Sequence, residues 1–218
     1  MTIERILKEL DSQGWSKFPI GNYEISELIS NLGHIIMVND VRIVKTSPAL
    51  VTSSEGLPPH TDHHLSHYIL WHCVTQDSQG GHSIMVDGLR IFRSMPSEVR
   101  EVLRSIRLKE HTVFQGDLGH HPLIYETEDG EGIYYSVLFE PTDFWLANDV
   151  LSDEQRIAFD AFNEAVKEAI SDSIKLDPDE CLVVDNGRIL HGRTAIHDES
   201  NRLLKRYWIG DKSIEKLS

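Results

Sequence analysis

The chain has 218 residues, 40% hydrophobic and 26% charged, enough for one sizeable domain with its own core. Its formal charge of −14 excludes a nucleic-acid backbone or an anionic membrane as an expected partner, because phosphate binding needs clustered Lys and Arg. No apolar run approaches the ~20 residues that a bilayer requires.

The N-terminal stretch MTIERILKELDSQGW is amphipathic and lacks the apolar core of a signal peptide, so a cytoplasmic protein is expected. Ile3, Ile6, Leu7 and Leu10 fall at helical spacing, and a second short helix is expected over Ile25 to Leu32, where Gly33 stops it. HIIMVNDVRIVKTS (34–47) reads as strand, turn and strand. SHYILWHCV, SIMVDG, RLKEHTVF, HPLIYET and GIYYSVLFE are further short β-type runs, separated by turn-forming residues. His120 and His121, followed by Pro122, read as exposed turn residues, and Tyr134, Tyr135, Phe139, Phe144 and Trp145 read chiefly as core packing. SDEQRIAFDAFNEAVKEAIS is the clearest helix: Ser152 and Gln155 form a capping box, and Ala158, Ala161, Phe162, Ala165, Val166, Ala169 and Ile170 form an apolar stripe. The turn DPDE (177–180) then leads into the β run ECLVVDN. Cys73 and Cys181 have no CxxC partner and are expected to be buried free thiols, which suits a reducing compartment. With no repeat or linker, the chain reads as a single mainly β domain over 1–218 with flanking helices.

Two segments carry chemistry. PPHTDHHLSHYILWHC (58–73) packs five histidines, an aspartate and a cysteine into sixteen positions. If 59–63 is extended, His60 and Asp62 face one side, since strand side chains alternate. Two neutral imidazoles and one carboxylate on one face of a cation are the ligand set of non-haem Fe(II) oxygenases. The third ligand has a candidate in DNGRILHGRTAIHDESNRLLKRYWIG (185–210), where His191 follows the ECLVVDN strand. Such an oxygenase takes its electrons from 2-oxoglutarate, whose far carboxylate needs a buried guanidinium. Arg202 and Arg206 are available, and on one strand Arg202, Leu204, Arg206 and Trp208 share a face.

PPHTD, GGHSIMVDG (80–88), LVVDNGRILHGRTAI and the RLLKRYW strand, in this order, resemble the taurine/2-oxoglutarate dioxygenase superfamily, nearest to its γ-butyrobetaine hydroxylase and clavaminate synthase-like branches. The resemblance covers about 50–210 and implies a double-stranded β-helix (jelly roll). It implies Fe(II), 2-oxoglutarate and O2 as cofactor and cosubstrates, with ascorbate as a stimulant, and succinate and CO2 as coproducts. Carried over by position, His60, Asp62 and His191 match the metal triad, Arg202 matches the arginine for the distal carboxylate, and Ser83 sits where relatives place a threonine with the same task. Arg206 matches a second arginine that touches the cosubstrate or an anionic group of the substrate. Asp62 stands where halogenases carry a small residue, which favours hydroxylation over halogenation. The chain reaches HTD by position 60, earlier than typical members, so the cover over the substrate is expected to be trimmed, leaving an open site or a lid borrowed within a homo-oligomer.

The expected substrate is a small amino-acid-like or zwitterionic molecule, hydroxylated at an aliphatic C–H. Desaturation, cyclisation or demethylation by the same centre are alternatives, as is a metal-binding jelly-roll hydrolase or sensor. A rival metal site, His63 and His67 clasping Zn2+ at i and i+4 on a helix, lacks the adjacent glutamate base. His63, His64 and His67 are instead expected beside the centre or against substrate, while the part played by His82 stays open.

Overall fold

The computed structural model describes the chain except residues 1, 22–24, 46–48, 110–111, 129, 137–150, 172 and 212–218. In chain order the elements are α1 (Ile3–Gln13), β1 (Trp15–Pro19), α2 (Ile25–Leu32), β2 (His34–Val41), a 3-10 turn (Leu50–Thr52), β3 (Leu57–His60), β4 (Tyr68–Thr75), β5 (Ser83–Asp87), α3 (Gly88–Ser94), α4 (Ser97–Arg104), β6 (Arg107–Lys109), β7 (His120–Pro122), β8 (Ile124–Thr127), β9 (Gly130–Ile133), α5 (Asp153–Glu168), β10 (Ser173–Ile174), β11 (Glu180–Asp185), β12 (Ile189–Arg193) and β13 (Leu203–Gly210). A five-stranded antiparallel sheet runs β1, β11, β4, β13, β2, and a four-stranded one runs β10, β5, β12, β3. Their inner faces meet through Ile69, Leu182, Val184, Leu204 and Trp208 from the larger sheet and Ile189 from the smaller. This is the mainly β, double-stranded β-helix architecture expected.

The apolar run of β11 shows why the sheets stack as they do. Cys181 and Val183 pack outward with Ile6 and Leu10 of α1 and Leu28 and Ile29 of α2, whereas Leu182 and Val184 pack inward. A strand covered on both faces reads as continuously hydrophobic. Cys73 and Cys181 are free and fully buried in the inward and outward clusters respectively, and burial pushes their thiols up to about 11 and about 12. Outside the smaller sheet, Val86 and Leu190 meet Leu89 and Phe92 of α3 and Phe159, Phe162 and Val166 of α5. α5 begins with the expected capping box, Ser152 Oγ accepting from the Gln155 N–H and Gln155 Oε1 accepting from the Ser152 N–H. Its buried stripe is narrower than expected: Phe159 joins Ala158, Phe162 and Val166, while Ala161 is exposed and Ala169 and Ile170 lie past the last turn. No helix among the described residues is long and apolar enough to cross a membrane.

Several local expectations are corrected. Residues 34–41 form one strand: Asn39 and Asp40, read as a turn, stay in the ladder opposite Arg206 and Lys205 of β13, so tertiary pairing overrides turn propensity. Among the described residues RLKEHTVF, without its residues 110–111, supplies only β6, and GIYYSVLFE, without its last four residues, contributes only to β9. His120 and His121 are half-buried in β7, paired with β6, and not in an exposed turn. Phe139, Phe144 and Trp145 lie outside the described residues. Helices α3 and α4 carried no recognised period in so few turns, although Asp87 caps α3 by accepting from the Arg90 N–H.

Candidate metal centre

β3 ends at His60, and β12 pairs beside it with His191 directly opposite. The two rings lie 4.6 Å apart between centroids. Asp62, in the loop after β3, places Oδ1 3.7 Å from His60 Nε2 and 3.9 Å from His191 Nε2. One ligand atom from each of the three side chains falls within 4.8 Å of the others, the only such group among the described residues.

The protonation pattern suits a divalent cation. His60 Nδ1 donates to the Pro58 carbonyl at 2.9 Å, an assignment made from that contact, which leaves the Nε2 lone pair facing Asp62. His191 is 5% exposed and neither ring nitrogen has a hydrogen-bond partner; the Ile189 backbone acts on its charge without reaching bonding geometry. Burial pushes His191 down to about 3, so it is a neutral imidazole with an unused lone pair. Burial alone would raise the Asp62 carboxyl, but the Arg206 guanidinium beside it holds it well below the usual carboxylate range. Arg206 Nη1 and Trp208 Nε1 both donate to Asp62 Oδ2 at 2.8 Å, which leaves Oδ1 for the imidazole side. Two neutral imidazoles and one anchored carboxylate are the donor set expected of a ferrous facial triad, and the residues present fit the ion.

Asn186, which sequence reasoning passed over, holds the loop that carries Asp62. Its Oδ1 accepts from the Asp62 N–H at 2.8 Å, and its Nδ2 donates to the Ser66 and His63 carbonyls at 2.8 and 3.2 Å. Asn186→Ala leaves several of these buried backbone groups unpaired, at about 1–3 kcal/mol each. We expect the thermal midpoint to fall by roughly 5–10 °C and Mn(II) affinity to fall about tenfold or more, read by calorimetry; unchanged values for both would remove the clamp from the account.

His60, His191, Ser83, Arg193, Arg202 and Arg206 line one cavity of about 460 Å3, counting its open part. Arg202, 3% exposed, donates from Nε to Gln76 Oε1 at 3.0 Å and from Nη2 to the Gly81 carbonyl at 3.3 Å. Burial, then the nearby charge of Arg193, pushes it down to about 10. The double glycine explains how the arginine fits. A Cβ on Gly80 would lie 1.9 Å from the Ala195 carbonyl oxygen, and one on Gly81, at φ +70°, 2.7 Å from Arg202 Nε. Gly81→Ala is therefore expected to displace Arg202 and raise the 2-oxoglutarate KM about tenfold, the effect of ~1.4 kcal/mol, with metal affinity intact. An unchanged KM would contradict this reading.

His63 and His67 do not form a helical zinc clasp, because 61–67 is a loop and His67 is exposed. His63 Nδ1 accepts from the Leu65 N–H, its Nε2 lies 3.2 Å from Asp117 Oδ2, and its ring stacks on His64, which stacks on His121. Burial and the neighbouring His64 push His121 down to about 4. Tyr134 and Tyr135 are core residues, as expected; Trp71 packs edge-on against His191, while Trp208 has the polar role described. His82 bonds Thr194 and Ser173, tying together strand ends.

Among solved structures, the chain is similar to asparagine oxygenase in complex with Fe(II), 2S,3S-3-hydroxyasparagine and succinate (TM-score 0.72, 14% identity, covering 95% of this chain and 78% of that one). It is also similar to the non-heme iron oxygenase OrfP in complex with Fe and alpha-ketoglutaric acid (TM-score 0.71, 18% identity, 95% and 78% coverage). Asparagine oxygenase without those ligands named matches at TM-score 0.70 and 14% identity, with the same coverage. These likenesses show the fold. Residues 18–208 match the family described as Taurine catabolism dioxygenase TauD, TfdA family, and with that match spanning most of its length the chain belongs to this family and is a 2-oxoglutarate-dependent, non-haem iron dioxygenase.

Proposed function

We propose that this chain, acting as a single catalytic domain, hydroxylates an aliphatic C–H of a small amino-acid-like substrate, with release of succinate and CO2. The observation that carries the reading is the buried convergence of His60, Asp62 and His191 beside an arginine-lined cavity. When bound, Fe(II) with 2-oxoglutarate and O2 supplies the oxidising power for the C–H bond.

The chain's own residues do the rest. His60, Asp62 and His191 hold the ion, His60 kept in the right tautomer by Pro58 and Asp62 kept in the right rotamer by Arg206 and Trp208. Arg202 and Ser83 take the distal carboxylate of 2-oxoglutarate. Arg206, besides gripping Asp62 through Nη1 and Asn39 through Nε, lines the same cavity and offers Nη2 to the cosubstrate or to an anionic group of the substrate. Apolar walls from Val41, Val51, Leu57 and Leu204 exclude water around these groups and strengthen their electrostatics.

Support for an amino-acid-like substrate comes from the similar oxygenases, whose complexes contain hydroxyasparagine and (3S)-hydroxy-L-Arg, and from a charge of −14 that suits a cationic or zwitterionic ligand. Two buried free thiols suit the reducing cytoplasm. The test is a panel of amino acids and betaines screened for stimulated succinate release under Fe(II) and ascorbate, followed by product mass. A gain of one oxygen from an amino acid is the expected result; no stimulation by any member, or loss of two hydrogens without oxygen gain, would overturn it.

A further inference from the structure

Two residues past His191 on β12, and so on the same face of the strand, Arg193 lines the same cavity. It is 5% exposed. Nη2 donates to the carbonyls of Ser53 and Leu50, Nη1 lies 3.5 Å from the Thr194 carbonyl, and the buried Nε has no partner. Every oxygen it meets is a neutral carbonyl. Among the described residues no carboxylate comes within ion-pair distance of Arg193 or Arg202. Asp77 is the near acid, yet its oxygens are taken by the N–H groups of Gln79, Gly80 and His197. Ser83 registers opposite Arg193 across the β5 and β12 ladder.

Arg193 and Arg202 thus line one cavity with the Ser83 hydroxyl, and neither has a carboxylate partner among the described residues. Charges of one sign held out of water repel each other and lose hydration, a cost that a bound anion offsets. We propose that Arg193 is a second cationic holder of the cosubstrate's distal carboxylate, acting with Arg202 and Ser83, so that the site selects dicarboxylate 2-oxoacids over monocarboxylate ones. This rests on the 2-oxoglutarate reading above and adds a group which that reading does not use.

The competing role for Arg193 is to tie the 50–54 segment to β12 through backbone carbonyls. Arg193→Gln separates the two, because it keeps N–H donors for those carbonyls and removes the charge. The probes are 2-oxoglutarate and 2-oxobutyrate, which share a ketoacid end while only the first has a distal carboxylate. Both are titrated by calorimetry into the full chain loaded with Mn(II). Arg193→Gln is expected to weaken 2-oxoglutarate about 10- to 100-fold, the scale of a charged hydrogen bond, and to leave 2-oxobutyrate within about twofold. Arg193→Lys is expected to recover most of the loss. Equal weakening of both ligands, or of neither, overturns the proposal in favour of the tie. If the wild-type chain binds no 2-oxoglutarate, the reading of the cavity falls first and this inference with it. Should the Gln variant not fold, crystals of the Mn(II) form with 2-oxoglutarate decide: an Arg193 N–H within about 3 Å of the distal carboxylate supports the proposal, and a guanidinium facing only Ser53 and Leu50 contradicts it.

Discussion

With His191 replaced by alanine, the chain is expected to keep its fold, lose its metal and release no succinate above background. The fold survives because the imidazole makes no hydrogen bond that its removal would leave open, and the space it vacates borders a cavity that already exists. The metal is expected to go because one of the three proposed ligands is gone. Groups that merely orient ligands are worth about 10- to 100-fold in affinity or activity, so a ligand itself is worth on the order of a hundredfold or more. Asp62→Ala is expected to differ in an instructive way. It removes the same ion but also strands Arg206 and Trp208, which both donate to Asp62 Oδ2, so it costs about 3 kcal/mol of stability as well. Metal content after dialysis against Mn(II), paired with thermal unfolding of both variants, checks the contrast. A His191→Ala chain that retains stoichiometric metal would end the triad assignment.

Arg202→Met should be nearly silent in the unliganded chain and severe once 2-oxoglutarate is needed. Unliganded Arg202 is buried on Gln76 and a carbonyl with no carboxylate partner, so an apolar side chain of similar length removes a desolvation cost along with two hydrogen bonds. The cosubstrate complex instead loses a charge-assisted pair, for which about 2–4 kcal/mol, or roughly 30- to 1,000-fold in 2-oxoglutarate KM, is expected. Metal affinity should not move. Thermal unfolding without 2-oxoglutarate and KM with it separate the two effects; a destabilised variant with unchanged KM would make Arg202 a structural residue only.

The parts of the site that were legible in the sequence are those where spacing encodes proximity. His60 and Asp62 lie two positions apart, and His191, Arg202 and Arg206 fall at intervals that the family resemblance carries; the structure brings His60, His191, Arg202 and Arg206 to one cavity and sets Asp62 beside the two histidines. Asn186, Gln76 and Arg193 were not singled out because their value lies in partners far along the chain. Asn186 serves a loop 120 or more positions earlier, and Gln76 meets an arginine 126 positions later. Such contacts leave no local pattern. Trp208 is ambiguous in sequence, since an indole suits both packing and function, and only its 2.8 Å bond to Asp62 decides. The same limit applies to secondary structure: β11 was legible from its own apolar run, whereas Asn39 and Asp40 follow their β13 partners against their local preference.

The measurement that bears most directly on the account is an anaerobic crystal structure of the chain with Mn(II) in place of Fe(II) and with 2-oxoglutarate. One ion bound by His60, Asp62 and His191, with the cosubstrate reaching from it to Arg202, is the expected result. An ion on other side chains, or a His191 imidazole turned away from the ion held by the other two, would contradict it.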